Sequence, residues 1–232
     1  MSAKMYKNKK RSKSHGTQNE IPNVNCLNGT CIVTGYQYYT ITKNNLVVNQ
    51  GYKAKFYYIK NFLLQHTENC SSVLDIGASN GLVSFVAAQA GYPIVHALDH
   101  DLDCIQVITK IKRHLQIQTV FPQVYSFGDD HSPADIVIVG ALIHWIYSCT
   151  ALYGNFDEIT RYLRGLTKKY LLIEWVNPND PAIRSFHHTS FNRDVIKEPY
   201  TRANFLASMK KYFSPLKVHS VNNTRELFLC VV

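Results

Sequence analysis

Apolar and polar residues follow one another along most of the chain in a pattern that predicts strands and helices in turn. Short apolar runs, typical of strands buried on both faces, are separated by stretches in which apolar residues recur every three or four positions, as on one face of a helix. The predicted strands are residues 73–76, 94–98, 123–127, 135–139, 170–176, 216–221 and 226–232. The predicted helices are residues 51–66, 82–90, 102–115, 156–168 and 202–212.

Alternating strands and helices predict a doubly wound α/β fold, with a parallel sheet and helices on both of its faces. The last two strands differ, because only residues 222–225 join them and a parallel crossover needs about a dozen residues or more. We expect these two strands to form an antiparallel hairpin. The predicted sheet is therefore seven-stranded and mostly parallel, with one antiparallel strand near its C-terminal edge.

The chain has 232 residues, which suits one domain with a single core. We expect residues 21–232 to form that domain, with 67–232 as its core and 21–66 as an N-terminal extension that ends in a helix. Residues 21–50 have no sustained period and predict mostly irregular structure, with short β-like pieces at 31–34 and 46–48. Residues 1–20 are basic and polar and predict a disordered tail.

Composition narrows the class of protein. Hydrophobic residues make up 46% of the chain, which argues against wholesale disorder. No apolar stretch approaches the length of about 18 residues that a membrane span needs, and the basic N-terminus has no apolar signal region. These features predict an intracellular protein, cytoplasmic or nuclear, with no membrane contact. The net charge of +9 arises largely in the tail, so the folded part is only mildly basic.

The six cysteines are scattered and do not show the spacing of a zinc site. Cys26 and Cys31 are close enough in sequence to form a small disulfide loop or half of a metal site. Buried, reduced thiols are the favoured interpretation of all six. We therefore expect no metal site.

The candidate chemistry begins where the first strand of the α/β pattern ends. Asp75, Gly77 and Gly81 lie between this strand and the next helix, where glycines let the backbone approach a ligand and the helix N-terminus points N–H groups at it. Ser79 stands where a dinucleotide-binding fingerprint requires glycine, which weakens that interpretation. Asp99 ends the second strand, 22 positions after Gly77, a distance typical of a carboxylate that accepts ribose hydroxyls.

With these motifs the chain resembles the class I S-adenosylmethionine-dependent methyltransferases over about residues 50–232. Segment 73–81 matches the family's first motif, 127–130 its acidic adenine-binding motif, and 140–145 the segment that lines the methyl pocket. The resemblance implies S-adenosylmethionine as cofactor and S-adenosylhomocysteine as product. The residues that it implies for cofactor binding are Asp75, Gly77, Ala78, Ser79, Asn80, Gly81, Asp99, His100, Asp129, Asp130 and Ala141.

Two residues are candidates for the methyl-acceptor side of the site. His144 follows the fourth strand, close to the expected methyl position, and imidazole titrates near neutral pH. Glu174 interrupts the apolar fifth strand at its carboxyl end, where open α/β sheets bind ligands. We predict that these residues act on an oxygen or nitrogen nucleophile. The alternative for Glu174 is a buried carboxylate paired with lysine or arginine.

The sequence does not determine which class of molecule accepts the methyl group. The chain lacks the Asn/Asp-Pro-Pro-Tyr/Phe motif of base amino-methylating enzymes and the Pro-Cys of cytosine C5 enzymes, and the Lys-Asp-Lys-Glu set of ribose enzymes is incomplete. RNA is slightly favoured because of the basic tail and of Lys53, Lys55 and Lys60, which are expected on the outer faces of helix 51–66. The alternatives are a small metabolite or glycan, or an inactive binding subunit. A nicotinamide-dependent oxidoreductase is disfavoured by the glycine spacing.

Overall fold

The structure is a computed structural model that describes residues 23–48, 53–149, 154–185, 198–214 and 216–232. In these ranges the chain forms two sheets, one of four strands and one of seven. The predicted tail at residues 1–20 lies outside the described residues. No helix among these ranges is both long and apolar enough to cross a bilayer.

The seven-stranded sheet confirms the predicted fold class. Its strands lie in the order β10-β11-β9-β8-β5-β6-β7. β11 pairs antiparallel with both of its neighbours, and the other pairs are parallel. The strands are β5 (Ser72–Ile76), β6 (Ile94–Asp99), β7 (Val120–Val124), β8 (Ala134–Val139), β9 (Thr167–Val176), β10 (Leu216–Asn222) and β11 (Arg225–Val231).

Helices cover both faces of this sheet because its central strands are apolar on both sides. In β5, Val73 packs in one hydrophobic cluster and Leu74 in the other, as the two-residue period of a strand requires. The first cluster includes residues of α1 (Lys53–Gln65), α2 (Leu82–Ala90) and α3 (Leu102–His114). The second includes residues of α4 (Ile143–Cys149), α5 (Phe156–Leu166) and α7 (Arg202–Tyr212). A short helix, α6 (Pro181–Ser185), follows β9.

The prediction of mostly irregular structure is wrong for the described residues 23–48, although the predicted β-like pieces at 31–34 and 46–48 are confirmed as strands. This segment forms an antiparallel sheet of β1 (Asn23–Leu27), β2 (Thr30–Thr34), β3 (Tyr39–Thr42) and β4 (Leu46–Val48). Alternate residues such as Val33 and Ile41 are buried in the cluster shared with α2 and α3. Asn28 and Gly29, both with positive φ, make the tight turn between β1 and β2. Exposed apolar residues, among them Leu27, Ile32 and Val47, stand at the solvent-facing positions and obscure the alternation.

The favoured assignment of all cysteines as reduced thiols is also wrong for one pair. Cys26 and Cys31 face each other across β1 and β2 and form a disulfide. The tight β-turn places them opposite one another, which the spacing in sequence allows but does not require. Among the described residues, Cys70, Cys104 and Cys230 are free and buried.

Smaller differences concern element ends and faces. The third strand of the main sheet lies at Val120–Val124 rather than 123–127, because the residues that pair with β6 are Val120 to Val124. The fifth strand starts at Thr167, three residues before the predicted start at residue 170. The helices α4 and α6 were not predicted. In helix α1, Lys55 was expected on an outer face but points inward and pairs with Glu174.

The disulfide yields a prediction about stability. Replacing both Cys26 and Cys31 with Ser should lower the free energy of unfolding by about 2 kcal/mol, because the cross-link restricts a short loop in the unfolded chain. Chemical denaturation of the oxidised protein and of the double variant measures the difference. Addition of a dithiol reductant should destabilise the wild type and leave the double variant unchanged. Equal sensitivity of both proteins to reductant would contradict the assignment.

Candidate functional site

The turn between β5 and α2 forms the centre of the candidate site. Gly77 and Gly81 have φ values of 73° and 85°, a region that glycine enters without strain. A Cβ atom on Gly77 would lie 2.8 Å from Leu142 Cδ2, and one on Gly81 would lie 2.8 Å from Ile108 Cγ1. Both positions therefore require glycine for conformation and for space. Ser79 has a φ of 51°, so the turn also holds a non-glycine residue in the left-handed region.

Asp99, at the carboxyl end of β6, fixes this turn from one side. It is 8% exposed. Its Oδ2 accepts the Ser79 backbone N–H at 2.7 Å, and its Oδ1 accepts that of Asp101 at 3.0 Å. Each carboxylate oxygen has a second lone pair with which to accept a ligand hydroxyl. The neighbouring His100 is exposed, and its Nδ1 lies 3.3 Å from Asp99 Oδ1.

Asp75 lies beneath the turn and is 3% exposed. Its Oδ2 accepts a hydrogen bond from the Ser84 hydroxyl at 2.6 Å. Burial raises the pKa of Asp75 to about 7, and the charge of Asp99 adds to this rise, whereas the Ser84 hydrogen bond and the charge of Lys55 oppose it. Asp75 is therefore a buried group that titrates near neutral pH.

The predicted adenine-binding residues lie in the loop after β7. The backbone hydrogen bond from Tyr125 to the Asp99 carbonyl brings this loop to the end of β6. Asp129 and Asp130 are both exposed. The Asp129 carboxylate accepts the Ser126 backbone N–H at 2.8 Å, and its carbonyl accepts the Tyr162 hydroxyl. Two acidic side chains thus lie on a turn next to Asp99.

The segment after β8 borders the same turn. Ala141 has a φ of 48°, a second non-glycine residue in the left-handed region at the carboxyl edge of the sheet. Such strain concentrates at functional sites. The Leu142 side chain lies against Gly77. His144 is in the first turn of α4 and is 2% exposed, and its ring centre is 5.8 Å from that of Trp145.

Glu174, near the end of β9, is completely buried. Its Oε2 accepts a hydrogen bond from Lys55 Nζ at 2.8 Å, and its Oε1 lies 3.6 Å from Arg225 Nη1. A Cβ atom on Gly140 would lie 3.9 Å from Glu174 Oε2, so the carboxylate is next to the end of β8. Oε1 makes no hydrogen bond. Glu174 thus has the alternative pairing that the sequence allowed, with Lys55 hydrogen-bonded to one oxygen and Arg225 close to the other.

Arg225 extends this pair into a network of alternating charges. Its Nε and Nη2 donate to the two carboxylate oxygens of Asp180 at 2.9 and 3.1 Å. Burial raises the pKa of Asp180, but the hydrogen bonds from Arg225 and Thr224 outweigh this effect and lower that pKa to about 2. Arg225 also makes a side-chain hydrogen bond with Tyr36, in the turn between β2 and β3. The N-terminal sheet therefore reaches the β9–β11 end of the site.

The structure brings the predicted residues of the first two strand ends together and adds several that sequence reasoning missed. Lys55, Ser84, Arg225 and Leu142 each touch a predicted site residue. Lys55 and Glu174 are 119 positions apart, so no local motif could have paired them. The sequence indicated only that Glu174 could pair with some lysine or arginine, and Lys55 itself was expected on an outer face of its helix. Among the described residues, no group of three or more acidic, His or Cys side chains is arranged to hold a metal ion.

Comparisons with known proteins identify the fold. No protein-family model matches the sequence, and no curated protein matches it either. Among solved structures, magnesium protoporphyrin IX methyltransferase (ChlM) from Synechocystis PCC 6803, with bound S-adenosylmethionine, is 14% identical with a TM-score of 0.55. That match covers 78% of this chain and 79% of the other.

Two further structures agree. A candidate O-methyltransferase from Nostoc punctiforme PCC 73102 is 18% identical with a TM-score of 0.54 over 76% of this chain, which spans 56% of that protein. The bifunctional kinase-methyltransferase WbdD is 15% identical with a TM-score of 0.56 over 77% of this chain, which spans 38% of WbdD. At these identities the likeness concerns the fold alone. The chain has the class I S-adenosylmethionine-dependent methyltransferase fold, as the motifs predicted.

The buried Asp75 yields a prediction about pH dependence. Because its folded-state pKa is raised, the folded protein holds a proton that the unfolded chain has lost between about pH 4 and pH 7. Stability should therefore fall as the pH rises through this range, by about 1.4 kcal/mol per pH unit for one full proton. Asp75→Asn keeps an acceptor for Ser84 and cannot titrate.

Urea unfolding of both proteins at pH 5, 6, 7 and 8 isolates this contribution. The stability of the wild type relative to Asp75→Asn should decline from pH 5 to about pH 7 and then level off. Parallel curves for the two proteins would show that the carboxyl group titrates normally.

Proposed function

We propose that this protein is a methyltransferase that uses S-adenosylmethionine and transfers the methyl group in line to an oxygen or nitrogen nucleophile. One observation carries the proposal: the buried Asp75 and Asp99 flank the Gly77–Gly81 turn at the carboxyl ends of adjacent strands. The same fold binds S-adenosylmethionine in ChlM. The cofactor supplies an activated methyl group, and the protein supplies position and a dry environment.

The residues present suit this cofactor. Asp99 is held by two backbone N–H groups and retains lone pairs for the two ribose hydroxyls. Gly77 and Gly81 adopt their positive φ values without strain, and the Cβ atoms that they lack would meet Leu142 and Ile108, so the turn stays tight at the end of β5. Asp129 or Asp130 would accept a hydrogen bond from the adenine amino group. Ala141 and Leu142 would border the methionine part.

On the acceptor side we assign the larger role to Glu174. Its Oε1 makes no hydrogen bond and lies 3.6 Å from Arg225 Nη1, and we assign this atom the role of accepting a hydrogen bond, and then a proton, from a hydroxyl or amine nucleophile. Lys55 and Arg225 hold the carboxylate in one orientation from either side. His144 is the second candidate base, since it follows β8 directly and is buried.

We favour a small molecule or a glycan as the acceptor over RNA. Lys55, one of the three lysines that supported RNA, makes a buried ion pair instead of facing solvent. The other argument for RNA was the basic tail, which lies outside the described residues. The chain spans only 56% and 38% of the length of two of its structural neighbours. The activity of those neighbours therefore does not identify the acceptor of this chain, which we propose from its own residues. Incubation with methyl-labelled cofactor and separate metabolite, glycan, protein and RNA fractions would identify where the label goes.

Cofactor binding is the first test. Asp99→Asn should weaken binding of S-adenosylhomocysteine by about 10- to 150-fold, because it removes charge-assisted hydrogen bonds. Asp103→Asn removes the same charge from an exposed position four residues later and should leave affinity unchanged. Isothermal titration calorimetry measures both variants. If the wild type binds no S-adenosylhomocysteine, the proposed function is wrong.

Methyl transfer is the second test. With the labelled acceptor as substrate, Glu174→Gln should lower kcat by about a hundredfold or more while the affinity for S-adenosylhomocysteine stays within about twofold. Glu226→Gln is the control, because Glu226 lies on the adjacent strand, pairs with Arg202 and is partly exposed. An unchanged kcat in Glu174→Gln would leave Glu174 with a purely structural role and would favour His144 as the base.

A further inference from the structure

The N-terminal sheet contacts the candidate cofactor turn through a buried asparagine. Asn80 is 1% exposed, and its amide Nδ2 donates to the backbone carbonyls of Thr34 and Gln37 at 3.2 and 3.3 Å. The backbone carbonyl of Asn80 accepts a hydrogen bond from the Tyr39 hydroxyl at 2.5 Å. The side chain of Asn80 is thus directed to the N-terminal sheet, while its backbone forms part of the turn.

A second contact supplies a missing helix cap. Helix α2 begins at Leu82, and its N-cap residue, Gly81, has no side chain with which to accept an N–H. Gln37 fills this role from a distance of 45 residues, because its Oε1 accepts the Leu82 backbone N–H at 3.1 Å. Capping by a side-chain oxygen stabilises a helix N-terminus. Here the cap comes from the turn between β2 and β3, so the start of α2 depends on the N-terminal sheet.

The turn needs such support because of its sequence. Ser79 occupies the left-handed region with a φ of 51°, a conformation that is strained for a residue other than glycine. Asp99 holds the Ser79 N–H from one side, and the contacts to Asn80 and Leu82 act from the other. Burial, with the charge of Asp75, raises the pKa of Tyr39 well above its usual value. The Tyr39 hydroxyl therefore remains a hydrogen-bond donor at any physiological pH.

From these contacts we infer that the N-terminal sheet is a functional part of the cofactor site, in which Gln37, Tyr39 and Asn80 are positioning residues. Their side chains hold the 79–82 backbone in the conformation that would bind S-adenosylmethionine. The inference rests on the proposed function, since it explains how the proposed cofactor turn is kept in place.

A pair of conservative variants tests this inference. Tyr39→Phe removes only the hydroxyl that donates to the Asn80 carbonyl, and it should weaken S-adenosylhomocysteine binding by about five- to tenfold. Tyr38→Phe removes a hydroxyl from the adjacent, exposed residue and should bind as the wild type does. Calorimetry is performed well below the thermal midpoint of each variant, so that every protein is folded during the measurement.

A second pair separates positioning from general stability. Gln37→Met keeps the length of the side chain but loses the oxygen that caps α2, and it should weaken binding and accelerate dissociation of S-adenosylhomocysteine. Gln37→Glu restores an oxygen at that place and should recover wild-type affinity to within about twofold. A merely structural role would lower the thermal midpoint of Gln37→Met but leave its affinity for S-adenosylhomocysteine unchanged.

The outcomes distinguish the inference from the function on which it rests. If the wild type binds S-adenosylhomocysteine, and Tyr39→Phe and Gln37→Met bind it equally well, the inference is wrong and the proposed function stands. If the wild type does not bind, both are overturned. Weakened binding in these two variants, with normal binding in Tyr38→Phe and Gln37→Glu, supports the inference.

Discussion

The turn between β5 and α2 imposes the main constraint on this structure, because it must keep three residues in the left-handed backbone region within five positions. Gly77 and Gly81 meet this requirement without strain, but Ser79 does not. The fold supports Ser79 by placing a carboxylate of the next strand on its N–H and the N-terminal sheet against Asn80 and Leu82. The geometry of the candidate cofactor site is therefore shared between the central sheet and an added sheet.

Buried charge is the second organising feature. Lys55, Glu174, Arg225 and Asp180 alternate in sign along one connected network and join α1, β9, the segment after β9 and β11. Removing one member of such a network would leave an uncompensated buried charge, which is strongly destabilising. Glu174, held between Lys55 and Arg225, lies next to the end of β8, so the network reaches the edge of the sheet where the candidate site lies. The positive charge of Lys55 also lowers the pKa of Asp75, so this lysine acts on two buried carboxylates, Asp75 and Glu174.

Local pattern predicted the central part of the fold well. The apolar runs of β5, β8 and β9 are continuous because both faces of these strands are covered, and the short link between β10 and β11 allowed only a hairpin. The Asp75–Gly81 motif and Asp99 could be placed at neighbouring strand ends for the same reason, since parallel strands present their carboxyl ends at one edge. The N-terminal sheet was predicted only in part, because its strands are short and exposed apolar residues such as Leu27 and Ile32 stand at its solvent-facing positions. β7 begins three residues earlier than predicted.

The sequence by itself determined which segments are buried, where the backbone must turn sharply and which acidic residues end the strands, because these depend on periodicity and on residues close together in the chain. Only the tertiary structure decided the partners of those residues: Lys55 with Glu174, Asn80 with the turn of the N-terminal sheet, and Cys26 with Cys31. Such contacts join side chains whose distance in space is set by the packing of whole elements. Residue spacing along the chain carries little information about that distance.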